Sequence, residues 1–253
     1  MRFASLGSGS RGNATVIEAG STRLLLDCGY PLAELERRLD ELDVTADSLD
    51  AVVVTHEHAD HVRGVGVLAR RFGVPVWMTP GTRRAATCGD LTDLRLFDSH
   101  GPVFRIGDIE LQPFAVPHDA NEPCQFVLAA EGRCLGILTD CGSVTPHVVG
   151  SLRAVDALLL ELNHDVGMLA RGPYPPALRA RVGGPFGHLS NAQAADLLSR
   201  LDLDRLGRVV AGHLSEKNNR PDLVVEALLG VSRDLEPRVT VLGQDSPSGW
   251  LAV

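Results

Sequence analysis

Nothing in this 253-residue sequence points to a membrane, a disulfide framework or a broad basic face. No window approaches the roughly 18 apolar residues of a membrane span. The opening MRFASLGSGSRGNA turns polar within eight residues and lacks the apolar middle of a secretory leader. The expected compartment is therefore the cytoplasm, without membrane attachment. Five cysteines (Cys28, Cys88, Cys124, Cys134, Cys141) make an odd number with no Cys-x-x-Cys pair. That argues against disulfide staples and a thiolate zinc site, and leaves free, buried or half-buried thiols. There is no Pro- or Ser-rich linker and no low-complexity segment. The economical reading is one domain over residues 1–253, long enough to bury a substantial core.

The charge balance excludes another class. With 24 basic and 32 acidic residues the formal charge is −8, the opposite of a protein that grips nucleic acid through a general basic surface. Any such contact has to come from local features, for which Arg11, Arg63, Arg70, Arg71, Arg83, Arg84, Arg171, Arg179 and Arg181 are candidates.

What is present alternates. Apolar runs at 22–27 (TRLLLD), 51–55 (AVVVT), 74–78, 109–116, 125–129, 134–139, 157–162 and 208–211 read as buried strands. Helical periodicity appears at 32–42, where leucines fall at 32, 35, 39 and 42, and again at 62–72, 192–201 and 223–229. The pattern is that of an α/β protein, with Leu198, Leu201 and Leu228 expected in the core. One weak repeat stands out: RLLLDCG at 23–29 and RCLGILTDCG at 133–142 each deliver an aspartate into a Cys-Gly turn. Two related halves facing a shared cleft would produce it, and so would chance similarity between buried strands.

The densest chemistry is Thr55-His56-Glu57-His58-Ala59-Asp60-His61, directly after the strand AVVVT. His56 and His58, two apart in an extended turn, can point the same way, while Asp60 and His61 can face a second point. The His-Glu-x-x-His of zinc-protease helices is absent, because Asp60 stands where its second histidine would be. Further ligand types end later strands: His118 after FAVP, Asp140 after ILT, and His213 after VVAG. A strand ending in one imidazole or carboxylate, repeated this often, is poorly explained by core packing. Imidazole and carboxylate donors without thiolate suit Zn²⁺, Mn²⁺ or Fe²⁺.

These residues together resemble the signature of the metallo-β-lactamase superfamily. The resemblance implies a four-layer αβ/βα sandwich, two mixed sheets flanked by helices, with two divalent metal ions at one edge. Carried over by residue, His56, His58 and His118 hold one ion, Asp60, His61 and His213 the other, and Asp140 bridges them. Asp27 matches a buried aspartate that supports the histidine loop. The opening SLGSGSRGNATVIEAG with LELNHD, GPYPPALRARV, GHLSN and GHLSEKNN further resembles the YycJ (WalJ)-type branch, regarded as 5′-to-3′ exonucleases on double-stranded DNA. The paired GHLS segments resemble ribonuclease Z enzymes, which suggests His188 as a histidine assisting the chemistry. No insert large enough for a β-CASP domain is present. Lactam-cleaving members commonly carry cysteine where Asp140 stands here, with Cys141 beside it.

The expected reaction is hydrolysis of a phosphodiester by a hydroxide held between two ions. Asp60 and Asp140 hold the metals, Asp60 orients the hydroxide, and His188 protonates the leaving group. Nucleic acid, DNA rather than RNA, is the expected substrate, and nothing bears on oligomeric state. Ser190 begins a helix through a capping box, and such a helix start can seat a phosphate. The loop Ser8-Gly9-Ser10-Arg11-Gly12-Asn13 offers a second cradle through Ser8, Ser10 and Asn13, or a plain hairpin turn. Glu161 and His164 are supporting or substrate-facing candidates, while His100 and His147 read as surface residues. The alternatives are a hydrolase of small thioesters or lactones on the same metals, and a non-catalytic binding module.

Overall fold

Two mixed sheets of seven strands stack face to face in the computed structural model, which describes residues 1–253. From edge to edge the first holds β14 (Leu251–Ala252), β1 (Arg2–Gly7), β2 (Ala14–Ala19), β3 (Thr22–Leu26), β4 (Ala51–Val53), β5 (Val76–Met78) and β6 (Leu94–Leu96). The second holds β13 (Val239–Val241), β12 (Arg208–Gly212), β11 (Ala157–Glu161), β10 (Arg133–Leu138), β9 (Cys124–Ala130), β8 (Ile109–Ala115) and β7 (Phe104–Ile106).

Period-two alternation along the central strands builds the layers. Leu24, Leu26, Ala51 and Val53 enter the core between the sheets, where they meet Leu135, Ile137, Ala157 and Leu159. Their neighbours Leu25 and Val52 face outward onto α1 (Leu32–Asp40) and α3 (Val65–Phe72). On the far side Leu138, Leu158 and Leu160 face α5 (Pro146–Leu152), α8 (Asn191–Leu198) and α9 (Pro221–Leu229). Three apolar cores thus separate four layers, αβ/βα. Leu35 and Leu39 of α1 are fully buried, each worth roughly 1.5–3 kcal/mol relative to exposure. The buried positions include Leu198, Leu201 and Leu228.

The two halves share one connectivity. β3 pairs antiparallel with β2 and parallel with β4, as β10 does with β9 and β11, and each is the fourth strand of its sheet. The segments RLLLDCG and RCLGILTDCG occupy equivalent central positions, so the repeat reflects related halves facing one another.

The helix expected over 62–72 is broken. α2 (Ala59–Val62) and α3 are separated at Gly64, whose N–H donates to Cys28 O at 2.8 Å. A Cβ at Gly64 would collide with Tyr30 O and Cys28 Sγ, which is why glycine stands there. Six strands were not legible in the hydrophobic pattern: β1, β2, β6, β7, β13 and β14. β1 (RFASLG) is poor in β-branched residues, and four of the others have only two or three residues. α4 (Pro80–Ala85), α5, α6 (Val166–Arg171) and α7 (Pro176–Val182) are short, and three begin at a proline. The expected strand at 74–78 begins only at Val76, after Pro75, which has no N–H to give a ladder. No helix is long and apolar enough to cross a membrane. All five cysteines are free thiols, and only Cys134 is not fully buried.

Candidate metal centre

Three strands end in strained residues. Asp27 after β3, Asp140 after β10 and His213 after β12 have φ of 60°, 51° and 55°, among only five non-glycine residues with positive φ. Such conformations cost energy and persist where the surroundings impose them. Here they turn each chain end so that its side chain meets the histidine loop following β4.

The side chains converge in two groups sharing one carboxylate. His58 Nδ1 lies 3.1 Å from His56 Nε2 and 3.2 Å from His118 Nε2, a tripod of imidazole nitrogens. Asp60, His61 and His213 form the second group: Asp60 Oδ2 is 3.7 Å from His61 Nε2 and 3.9 Å from His213 Nε2. Asp140 lies between them, with Oδ2 3.2 Å from His61 Nε2 and Oδ1 3.5 Å from His213 Nε2 and 3.8 Å from His118 Nε2. Asp140 Oδ2 and His213 Nε2 are buried without hydrogen-bond partners. Each such orphan costs about 1–3 kcal/mol, and both lie where cations between the two groups would satisfy them. The donor set therefore fits divalent metal ions.

A second layer fixes the ligands from behind. Asp27 accepts from Thr55 N–H and Thr55 Oγ1, both at 2.8 Å, and its Oδ2 is 2.8 Å from His61 Nδ1. His118 Nδ1 is 3.0 Å from Gly187 O. Glu161 Oε1 is 2.9 Å from His213 Nδ1 and 2.7 Å from His188 Nδ1, while Oε2 accepts from the backbone of Cys141 and Leu189. Such partners set which ring nitrogen is left for the ion. Asn13 Nδ2 donates to Asp60 Oδ2 at 3.3 Å, and Ser8 Oγ accepts from His213 N–H at 2.8 Å.

Electrostatics follow from this density of carboxylates. Burial and the charge on His61 hold His56 well below the usual imidazole range. Burial also opposes charge on His61 and His213, but Asp140 and its neighbours outweigh it, taking His61 well above its ordinary value and His213 to about 10. Against burial, His213 and His61 keep Asp140 well below the carboxylate range, and His188 with His213 holds Glu161 at about 2. In the absence of metal, protons on these histidines balance the carboxylates that cations would neutralise.

Some expected features take another place. Ser190 does not seat a phosphate. It is 3% exposed, its side chain accepts from Gln193 N–H and its own N–H is taken by Gln193 Oε1, while Asn191 N–H goes to His164 O. The loop at 8–13 is not a cradle either. Its backbone N–H groups are spent on Gly243 O, Asn13 Oδ1, Gln244 Oε1, Gly9 O and Asp60 O, and only that of Ser10 is left. Ser10 lines the cleft; Ser8 and Asn13 act on the ligands. His164 is 3% exposed and absent from the cleft wall, its Nδ1 unpartnered. His100 and His147 are exposed.

The cleft over the ligands, about 390 Å³, is also lined by residues that were not singled out: Asp119, Asn163, Tyr174, Leu178 and Ser215. Asp119 Oδ1 is 3.7 Å from His58 Nε2 and 3.6 Å from His118 Nε2, while Oδ2 accepts from Arg181 Nε at 2.5 Å. Its place directly after His118 was the available signal; Tyr174 and Leu178 carry none.

Comparison with known proteins agrees with this architecture. A family model described as the beta-lactamase superfamily domain matches residues 22–214. The chain is 34% identical over 247 residues to exodeoxyribonuclease YycJ of Bacillus anthracis, covering 96% of this chain and 92% of that one. It is 33% identical over 249 residues to exodeoxyribonuclease WalJ of Streptococcus pneumoniae serotype 2 (strain D39 / NCTC 7466), covering 93% and 92%. Among solved structures, the metallo-beta-lactamase fold protein YhfI from Bacillus subtilis superposes with a TM-score of 0.75 at 14% identity, over 97% of this chain and 98% of that one. The short form of human tRNase Z gives 0.66 at 18% identity, covering 98% of each chain. These two establish the likeness of fold.

Proposed function

Because the chain belongs to the beta-lactamase superfamily, and within it to the family of the YycJ and WalJ exodeoxyribonucleases, we propose that it is a two-metal phosphodiesterase shortening DNA from an end. The observation that carries this reading is Asp140. One buried carboxylate stands between two ligand groups, with His61 Nε2 3.2 Å from its Oδ2 and no well-formed hydrogen bond to that oxygen.

His56, His58 and His118 would hold one ion and Asp60, His61 and His213 another, with Asp140 standing between the two groups. Zn²⁺ and Mn²⁺ suit these donors, and Fe²⁺ is compatible with them. Bound there, the pair supplies positive charge that acidifies a water and neutralises a phosphate oxygen. Asp60, fixed by Asn13, orients the attacking water. His188 lines the cleft with its Nδ1 engaged by Glu161, which leaves Nε2 for substrate. Glu161 raises the proton affinity of His188 against the effect of burial, which favours a proton on Nε2 for the leaving oxygen. DNA is favoured over RNA on the names of the relatives.

The test uses end-labelled single- and double-stranded DNA and RNA with protein loaded separately with Zn²⁺ or Mn²⁺. Stepwise release of mononucleotides from one DNA end is expected. Turnover of small thioesters or lactones with no polymer cleaved would overturn the proposal.

A further inference from the structure

Arg181 is the only lysine or arginine lining the cleft. Its Nε donates to Asp119 Oδ2 at 2.5 Å, and that is the one hydrogen-bonded nitrogen of the guanidinium. Exposed arginines elsewhere close two nitrogens on one carboxylate, as Arg95 does on Asp93 and Arg220 on Asp222. Asp119 thus holds Arg181 by its inner nitrogen and leaves both terminal NH₂ groups open. The backbone beneath is tied to the metal centre. A Cβ at Gly187 would collide with Arg181 O and Val182 O, so only glycine lets the two segments touch. From this junction Gly187 O lies 3.0 Å from His118 Nδ1, and His188 N–H donates to Val182 O at 2.9 Å. The side chain of Arg181 is 59% exposed and that of Asp140 only 3%. The ligands therefore form the floor of the cleft, and Arg181 stands at its mouth. Its hydrogen bond to Asp119 and the charge of Asp60 strengthen its hold on its proton, so the cation is permanent.

We propose that Arg181 is the phosphate-gripping residue of the cleft, binding through its two open NH₂ groups the backbone phosphate next to the reacting one, with Asp119 as the residue that positions it. This rests on the phosphodiesterase reading of the same cleft. The reacting phosphate has to reach the floor, where the ligand side chains converge, so a cation fixed at the mouth meets the neighbouring linkage of the same strand. Two N–H donors in one plane match two phosphate oxygens, a geometry that lysine lacks. A contact of this kind sets the register of the strand without reading its bases. It also gives a chain of net charge −8 a hold on a polyanion without a broad basic face.

The test is binding of fluorescein-labelled DNA duplexes to the metal-loaded protein, read by anisotropy over a salt series. The reacting linkage is a cleavage-resistant phosphorothioate, and one other linkage at a time is an uncharged methylphosphonate. The wild type is expected to lose affinity by about tenfold or more at one linkage beside the reacting one, the worth of a hydrogen bond to a charged group. In Arg181→Ala that penalty disappears, and the salt slope for the duplex without methylphosphonate falls by about 0.9, one phosphate contact. Arg181→Lys restores the salt slope but only part of the affinity. Asp119→Asn weakens binding severalfold on its own and adds nothing in the Arg181→Ala background. Metal content and melting temperature show that each variant is folded. Arg84→Ala, exposed on α4 and outside the cleft, controls for net charge. A methylphosphonate penalty that persists in Arg181→Ala, an unchanged salt slope, or an equal loss from Arg84→Ala would each overturn the proposal. Additive losses from Asp119→Asn and Arg181→Ala would overturn the role given to Asp119. Cleavage of the unmodified duplex by the wild type is scored separately, and its failure would sink the phosphodiesterase reading instead.

Discussion

His188 and His213 share a single carboxylate oxygen: Glu161 Oε1 lies 2.7 Å from Nδ1 of the first and 2.9 Å from Nδ1 of the second. The residue proposed to protonate the leaving group and one proposed to hold metal are thus oriented by one buried charge. Glu161 is fully buried, and its other oxygen is occupied by two backbone N–H groups.

Glu161→Gln removes that charge and turns an amide NH₂ towards groups that are themselves donors. We expect kcat to fall by about 10–100-fold, the range for outer partners of metal ligands. The sign of the pH effect follows from His188. The carboxylate raises its proton affinity, so neutralising it lowers that affinity and moves the basic limb of the kcat profile to lower pH. A pH–rate profile with an unmoved basic limb would exclude His188 as the proton donor.

Asp27→Asn acts directly on the second ligand group, through His61, and only through Thr55 on His56 of the first. Asparagine tolerates the left-handed backbone at this position, but its single oxygen cannot replace both carboxylate oxygens, one of which takes Thr55 N–H and the other Thr55 Oγ1 and His61. Affinity for one of the two ions should drop by about 10–100-fold. Elemental analysis after dialysis should show metal content falling from about two per chain towards one. Two retained ions would mean that His61 needs no such support.

Metal uptake should release protons. His213 is pushed up to about 10 and His61 is raised in the same direction, so His213 holds a proton at pH 8 that a cation has to displace. Metal affinity therefore rises with pH up to about 10 and falls in acid. The raised value also means that His213 stabilises the metal-free fold fully below 6.5, and that this contribution is lost as pH rises through about 10. Calorimetric metal titrations at pH 8 in buffers of different ionisation enthalpy should report release of about one proton or more per chain. Heats independent of buffer would contradict this.

The candidate ligand residues were legible in the sequence because they follow apolar strands, singly at Asp140, His118 and His213 and as a cluster after β4, and the strand supplies both the signal and the position. Asp27 and Asp140 were legible as a repeated pair, and the equivalent central strands explain why. The cleft wall was not legible: Arg181 meets Asp119 only through the fold, and α7, which starts at the last of three prolines in four residues, has no apolar face to betray it. The loop at 8–13 resembled a phosphate cradle because its composition suits one. Only the partners of its N–H groups reveal that they are already engaged, that of Asn13 in holding the loop against Asp60. Ser190 misled in the same way, since a capping box satisfied from within has little left for a ligand.

The central claim is tested most directly by titrating metal-free protein with Zn²⁺ or Mn²⁺ and following mononucleotide release from end-labelled DNA, with Asp60→Ala/His61→Ala alongside. The account predicts activity that rises to a plateau at two equivalents per chain and is absent from the variant. Full activity without metal, or no cleavage with both ions demonstrably bound, would contradict it.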